Sequence, residues 1–188
     1  IHFIQPPPGL LLLDDVSFAP TYEALINGSF QQWKCESDQP ETNANEIYST
    51  TDWNRLSGML EHYYTAEKNI CLKLMGSGPE DAVLSQNVEV KSGEHLILSV
   101  IARPDAPSAD DMEAEPVEQR ARLELHWLVD GAAQGLAVVL PLDGRDFHTH
   151  SWAGDVPAGM SGAEIRLIQP RGPGNLLVGL VSHRHADL

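Results

Sequence analysis

Between its turns the chain alternates apolar and polar residues with a period of two, and helical periodicity is nearly absent. Leu123-Glu124-Leu125-His126-Trp127 shows the pattern at its clearest. Successive side chains on a strand point to opposite faces, so this alternation builds sheets with one buried face. It predicts strands over 1–5, 10–18, 46–50, 59–64, 69–75, 83–90, 95–103, 121–129, 136–140, 147–153, 163–169 and 176–182. Pro6-Pro7-Pro8-Gly9, Asn27-Gly28, Ser92-Gly93, Asp130-Gly131, Asp143-Gly144 and the Pro/Gly cluster at 170–174 separate them. These residues supply the backbone angles of tight turns. Many short strands joined by turns pack as a sandwich or barrel. With 188 residues, 42% of them hydrophobic, the chain suits one domain with a substantial core.

The segment 104–119 breaks the alternation. It is rich in Asp, Glu, Pro, Ser and Ala, with Met112 and Val117 as its larger apolar residues, and reads as a long acidic, solvated loop. Acid dominates the whole chain: 12 Lys and Arg against 27 Asp and Glu give a formal net charge of −15. Such a balance argues against nucleic acid as a partner, because phosphate binding needs a basic face. It argues equally against an anionic membrane surface, and it tolerates bound calcium. The longest apolar run, Leu10 to Leu13, is far short of the ~20 residues of a membrane-spanning helix, so no membrane insertion is expected. Starting at Ile1, with neither Met nor a signal-peptide pattern, the sequence reads as a processed or excised piece. Cys35 and Cys71 lack metal-type spacing and stand either as one disulfide or as two buried thiols.

An internal repeat organises the rest. Ile1-His2-Phe3-Ile4-Gln5-Pro6 is similar to Ile165-Arg166-Leu167-Ile168-Gln169-Pro170, and continuing without a gap Leu12-Leu13 falls on Leu176-Leu177 and Val16 on Leu180. The chain thus opens with a hairpin of the kind with which it closes. Residues 1–18 read as the end of a preceding repeat or as a donor segment, 19–21 as a linker and 22–184 as the module itself. A lone two-stranded hairpin is marginal in water. The face formed by Leu10, Leu11, Leu12, Leu13, Val16 and Phe18 must therefore cover apolar surface in its own module or in a neighbouring copy.

The order of local patterns from Tyr22 to Ser182 resembles the jelly-roll carbohydrate-binding modules of the galactose-binding-like group. An apolar strand, an Asn-Gly turn and a Phe followed by a Trp stand here as Leu25-Ile26-Asn27-Gly28-Ser29-Phe30-Gln31-Gln32-Trp33. An alternating strand follows at Asn69-Ile70-Cys71-Leu72-Lys73-Leu74-Met75, then the unit from Gln86 through Ser92-Gly93 to Val100. The closing Asp-Asp-Val-Ser-apolar signature of those modules occurs as Asp14-Asp15-Val16-Ser17-Phe18, at the front of the chain. The resemblance implies an all-β fold: a two-sheet antiparallel jelly-roll β-sandwich, with the N-terminal hairpin as an extra element. It also implies a structural calcium held by the closing Asp and an opening-strand Glu. Here the Glu position is Gln31, a weaker ligand, so such a site needs Asp14 or Asp15 to fold back beside Asn27 and Gln31.

A sugar-binding jelly roll needs flat aromatic platforms for pyranose faces and polar groups for hydroxyls. Trp53, Tyr63, Tyr64, Trp127 and Trp152 are the candidates. Trp127 shares a face with Leu123, Leu125 and Val129 and reads as core. Trp53 and Arg55 sit in the polar stretch Thr51-Asp52-Trp53-Asn54-Arg55 and read as an exposed glycan contact. Tyr63 and Tyr64 are adjacent, so one faces in and the other out. His148 and His150 project from one face of a strand, as paired metal ligands must, and Trp152 follows them. No third ligand has an obvious position although Asp146 is close, so the imidazoles read as solvated or ligand-facing. His183-Arg184-His185 reads as a mobile tail.

No nucleophile elbow, phosphate-cradling Gly loop or His-Glu-x-x-His motif occurs, so no enzyme activity is expected. The sequence supports a non-catalytic, carbohydrate-binding-module-like domain of a secreted or cell-surface protein, with a glycan as partner. The alternative is a structural repeat of an extracellular fibre or adhesin, assembled with neighbouring copies by strand exchange through the N-terminal hairpin.

Overall fold

A computed structural model describes residues 21–23, 25, 28–30, 33–35, 48–50, 52–64, 70–105, 120–144 and 146–186. The N-terminal hairpin, with Leu10, Leu11, Leu12, Leu13, Val16 and Phe18, lies outside these residues. So do Asp14, Asp15, Asn27 and Gln31 of the expected calcium set, and 106–119 of the acidic segment. The described strands are β1 (Thr21–Glu23), β2 (Trp33–Cys35), β3 (Tyr48–Thr50), β4 (Asn54–Ser57), β5 (Met59–Tyr64), β6 (Ile70–Met75) and β7 (Ala82–Glu89). They continue with β8 (His95–Asp105), β9 (Arg122–Val129), β10 (Ala132–Pro141), β11 (His148–Asp155), β12 (Gly162–Gln169) and β13 (Asn175–Ala186).

Two antiparallel sheets form the sandwich. One runs β11-β8-β13-β6-β5, with β1 added against β13; the other runs β10-β9-β12-β7-β4. β2 and β3 pair as a separate two-stranded ribbon. This is the two-sheet jelly-roll sandwich that the alternation and the resemblance imply. The core lies between the sheets. Leu60, Leu72, Leu74, Leu96 and Leu98 face inward from the first sheet, and Leu84, Leu123, Leu125, Ile165 and Leu167 from the second. Trp127 and Trp152 pack half-buried against this cluster. At the Asp130-Gly131 turn both central residues take positive φ, 50° and 80°, the geometry that closes a tight hairpin between β9 and β10.

Several features depart from the sequence reading. β4 carries no apolar alternation and is exposed along most of its length, so only its pairing with β7 makes it a strand. β10 begins at Ala132 instead of residue 136, because β9 holds a pairing partner for it from Val129 onward. His183-Arg184-His185 is no tail: β13 pairs with β8 as far as Ala186↔His95, β1 flanks its end, and His183 is fully buried. The strand over 95–103 likewise runs on through Pro104 and Asp105, residues that open the expected loop, and Thr21 of the expected linker is the first residue of β1.

The core argument makes a measurable distinction. Leu125→Ala removes a fully buried side chain between the sheets and should cost about 3 kcal/mol, read as a lower denaturant midpoint at unchanged slope. Leu136→Ala, on the exposed half of edge strand β10, should stay within roughly 0.5 kcal/mol of the parent.

Candidate functional site

The residues singled out from sequence do not converge. Tyr63 and Tyr64 lie on β5 and His148, His150 and Trp152 on β11, the opposite margins of one sheet. Four strand spacings separate those margins, roughly 19 Å at about 4.8 Å each. Arg55 is exposed on β4, on the margin of the second sheet. Tyr64 is the open aromatic, 60% exposed, with its ring 4.9 Å from that of His62. Tyr63 is half-buried beneath Lys73, whose Nζ lies 5.4 Å from the ring centroid and 3.0 Å from Glu61.

Trp53 overturns its expectation. It is 4% exposed and packs on the buried Phe30, ring centroids 5.3 Å apart. Asp52 explains this: its φ of 68° is left-handed, and its carbonyl accepts a hydrogen bond from Gln86 Nε2 at 2.8 Å. That turn sends Trp53 inward despite polar neighbours on both sides. Cys71, for its part, is a free, buried thiol, pushed up to about 11 by burial against the charges of Arg103 and Lys73. Cys71 thus stands as the thiol alternative, and the side chain of Cys35 lies outside the described residues.

The polar groups that do converge lie on the outward face of the second sheet, the side turned away from the core, where Ser85 and Glu124 are nonetheless buried, 2% and 8% exposed. Register sets Val139, Glu124, Arg166, Ser85 and Asn54 in one row across five strands. Leu136, His126, Glu164 and Asn87 form the next row. Opposite charges therefore face one another across β9 and β12, the arrangement that stabilises a strand pair. Glu124 accepts from Arg122 Nε at 2.7 Å on one oxygen and lies 2.9 Å from His126 Nε2 with the other. Arg166 donates to Glu164 at 2.7 Å. Its Nε is shielded and has no hydrogen-bond partner among the described residues.

Burial raises both glutamate carboxyls, but their partners outweigh it. Arg122 and His126 hold Glu124 below the ordinary value of 4.5, and Arg166, helped by Ser85, does the same for Glu164. None of these residues was singled out from the sequence. The signal was present in Arg122-x-Glu124-x-His126 and Glu164-x-Arg166, the polar halves of alternating strands.

On β11, His148 and His150 do share a face, their ring centroids 4.0 Å apart. The carboxylate that joins them is Asp143, not Asp146; Asp146 contributes its backbone carbonyl, 2.9 Å from His148 Nδ1. Burial, then the His148 charge, lowers the pKa of His150, with Asp143 opposing.

The paired glutamates give stability a pH dependence of known sign. Their folded pKa values lie below the ordinary one, so the contribution is complete above about pH 4.5 and is lost as pH falls through the folded values. Thermal melts should show a falling Tm below about pH 4.5. The Glu124→Gln/Glu164→Gln double variant should start lower at neutral pH and lose less on acidification. Equal slopes for the two proteins would refute the assignment.

No protein-family model matches the chain, and no curated protein does. Its fold is similar to several solved structures. One is the enzymatically active domain of tailspike protein 4 of bacteriophage CBA120, with a TM-score of 0.53 at 13% identity over 86% of this chain and 21% of that one. Another is a Family 16 Carbohydrate Binding Module, at 0.53 and 13% over 70% of this chain and 89% of that one. A third is the N-terminal endo-1,4-beta-D-xylanase 10B of Clostridium thermocellum, its CBM22-1 and GH10 modules complexed with xylohexaose, at 0.50 and 8% over 72% and 26%. The chain thus spans about a fifth of the tailspike domain and about a quarter of the xylanase structure, but nearly all of the Family 16 module. At these identities the likeness establishes the fold: a jelly-roll β-sandwich of the kind found in carbohydrate-binding modules.

Proposed function

We propose that the chain is a non-catalytic carbohydrate-binding module of a secreted or cell-surface protein, and that its glycan lies across the outward face of β9, β12 and β7. The observation that carries this reading is the pair of cross-strand rows holding Glu124, Arg166, Ser85 and Asn54 beside His126, Glu164 and Asn87. Sugar hydroxyls are recognised by fixed donors and acceptors, and a planar guanidinium or carboxylate can engage two neighbouring hydroxyls at once. Here those groups are held in place by one another, so binding costs little ordering of side chains. Arg166, in the middle of the face, has the most open side chain of its charged groups, 30% exposed against 11–13% for Arg122, Glu124, His126 and Glu164.

The same face argues against glycoside hydrolysis. A hydrolase needs one carboxylic acid kept protonated by a raised pKa. Both glutamates here are held below the ordinary value by their cationic partners. They act as acceptors.

Soluble xylan and a panel of β-glucans, run in affinity electrophoresis and calorimetry, test the reading. The parent should bind at least one of them, and Arg166→Ala should weaken it at least ~10-fold, as expected for a hydrogen bond to a charged group. Tyr64→Ala, on the far margin, should leave affinity unchanged, with circular dichroism confirming that each variant folds. No binding across a broad polysaccharide panel, or binding abolished by Tyr64→Ala and indifferent to Arg166→Ala, would overturn it.

A further inference from the structure

The cluster on β11 belongs to a different strand and a different sheet, and the glycan reading does not use it. Asp143, in the connection after β10, and His148 and His150 each offer one ligand atom, and the three atoms lie within 4.8 Å of one another. We propose that Asp143, His148 and His150 form a binding site for a divalent transition cation of the zinc class.

Four features of the geometry support this. First, two imidazoles and one carboxylate suit borderline metals such as zinc, whereas calcium and magnesium demand a set of oxygen ligands that is missing here. Second, His148 Nδ1 sits 2.9 Å from the Asp146 carbonyl, which can only accept, so that nitrogen is the donor and the lone pair is on Nε2. Metal-binding histidines are oriented in this manner by a backbone carbonyl or carboxylate. Nε2 in turn lies 3.9 Å from an Asp143 oxygen, a gap too long for a firm ion pair and one that a shared cation closes. Third, His150 Nε2 is shielded from solvent and has no hydrogen-bond partner among the described residues. A buried ring nitrogen without a partner is costly unless something binds it.

The fourth feature is Gly144. Its φ is 98°, and a Cβ there would collide with the His148 ring, meeting Nδ1 at 2.9 Å. The turn thus leaves the imidazole the volume that a side chain would take. Ligand atoms bound to one zinc ion sit about 3.3 Å apart, given metal–ligand distances of about 2.0–2.1 Å. The three atoms, within 4.8 Å of one another, would have to draw together to reach that spacing, and Asp143, exposed at the turn, is the side chain placed to do so. The bound ion would tie the β10–β11 connection to β11, a margin strand, and leave a coordination position for water.

The test uses the full, untagged chain with Co²⁺ and Zn²⁺ as probes and Ca²⁺ as the comparison. The expected result is one Co²⁺ per chain with visible ligand-field absorption, displaced by Zn²⁺ and untouched by excess Ca²⁺. His150→Ala and Asp143→Asn should each weaken Zn²⁺ binding at least ~10-fold. Gly144→Ala should do the same by displacing His148, while Asp146→Ala, which keeps the backbone carbonyl, should bind like the parent. Melting of the metal-free variants separates lost ligands from lost fold, and the exposed Asp143 makes Asp143→Asn the safest of them. Absence of stoichiometric binding, or binding indifferent to both His150→Ala and Asp143→Asn, overturns the proposal. Neither result bears on polysaccharide binding by the parent chain.

Discussion

The burial of leucine, isoleucine and valine between two antiparallel sheets is the constraint from which everything else follows. Each such side chain contributes about 1.5–3 kcal/mol when fully buried. Because strand parity is two, fixing Leu123, Leu125, Ile165 and Leu167 inward forces Glu124, His126, Glu164 and Arg166 outward. A slip of one residue would put four polar groups into the core. The register of the core strands is therefore also the register of the candidate ligand face, and the core specifies the face without touching the ligand.

Charge is distributed with the same economy. The chain carries 12 cationic side chains against 27 acidic ones. Two of the twelve, Arg122 and Arg166, are spent on the outward face, each beside a glutamate on its own strand. A row of glutamates alone would repel across β9 and β12; interleaved arginines turn the same positions into a mutually supporting set. Outside that set the acidic surplus favours cations, and at the proposed site of Asp143 beside two imidazoles a small cation would meet nitrogen as well as oxygen.

What was legible in the sequence follows from what alternation can report. The alternation marks strand 59–64 to the residue, and Asp130-Gly131 marks a turn by its residue types. Alternation also put Trp127 on the core side of β9. It could not report β4, which has no apolar face, nor the C-terminal end of β13, where histidines and an arginine occupy positions inside a sheet. Trp53 was misread because one left-handed residue, Asp52, reverses the direction that its polar neighbours suggest. Asp143 was missed as a partner of His148 and His150 because the link runs through a turn, where spacing along the chain says little about distance. The polar face was legible in principle: its residues are the other half of the pattern used to find the core.

The most direct test of the account is an amide chemical-shift titration of the chain with a soluble oligosaccharide such as xylohexaose. If the outward face is the ligand surface, shifts should gather on Arg122 to His126, Glu164 to Arg166 and Ser85 to Asn87, three adjacent strands that meet only in the folded sheet. Shifts confined to Tyr63 and Tyr64 on the opposite sheet, or none at saturating sugar across a panel of oligosaccharides, would contradict it.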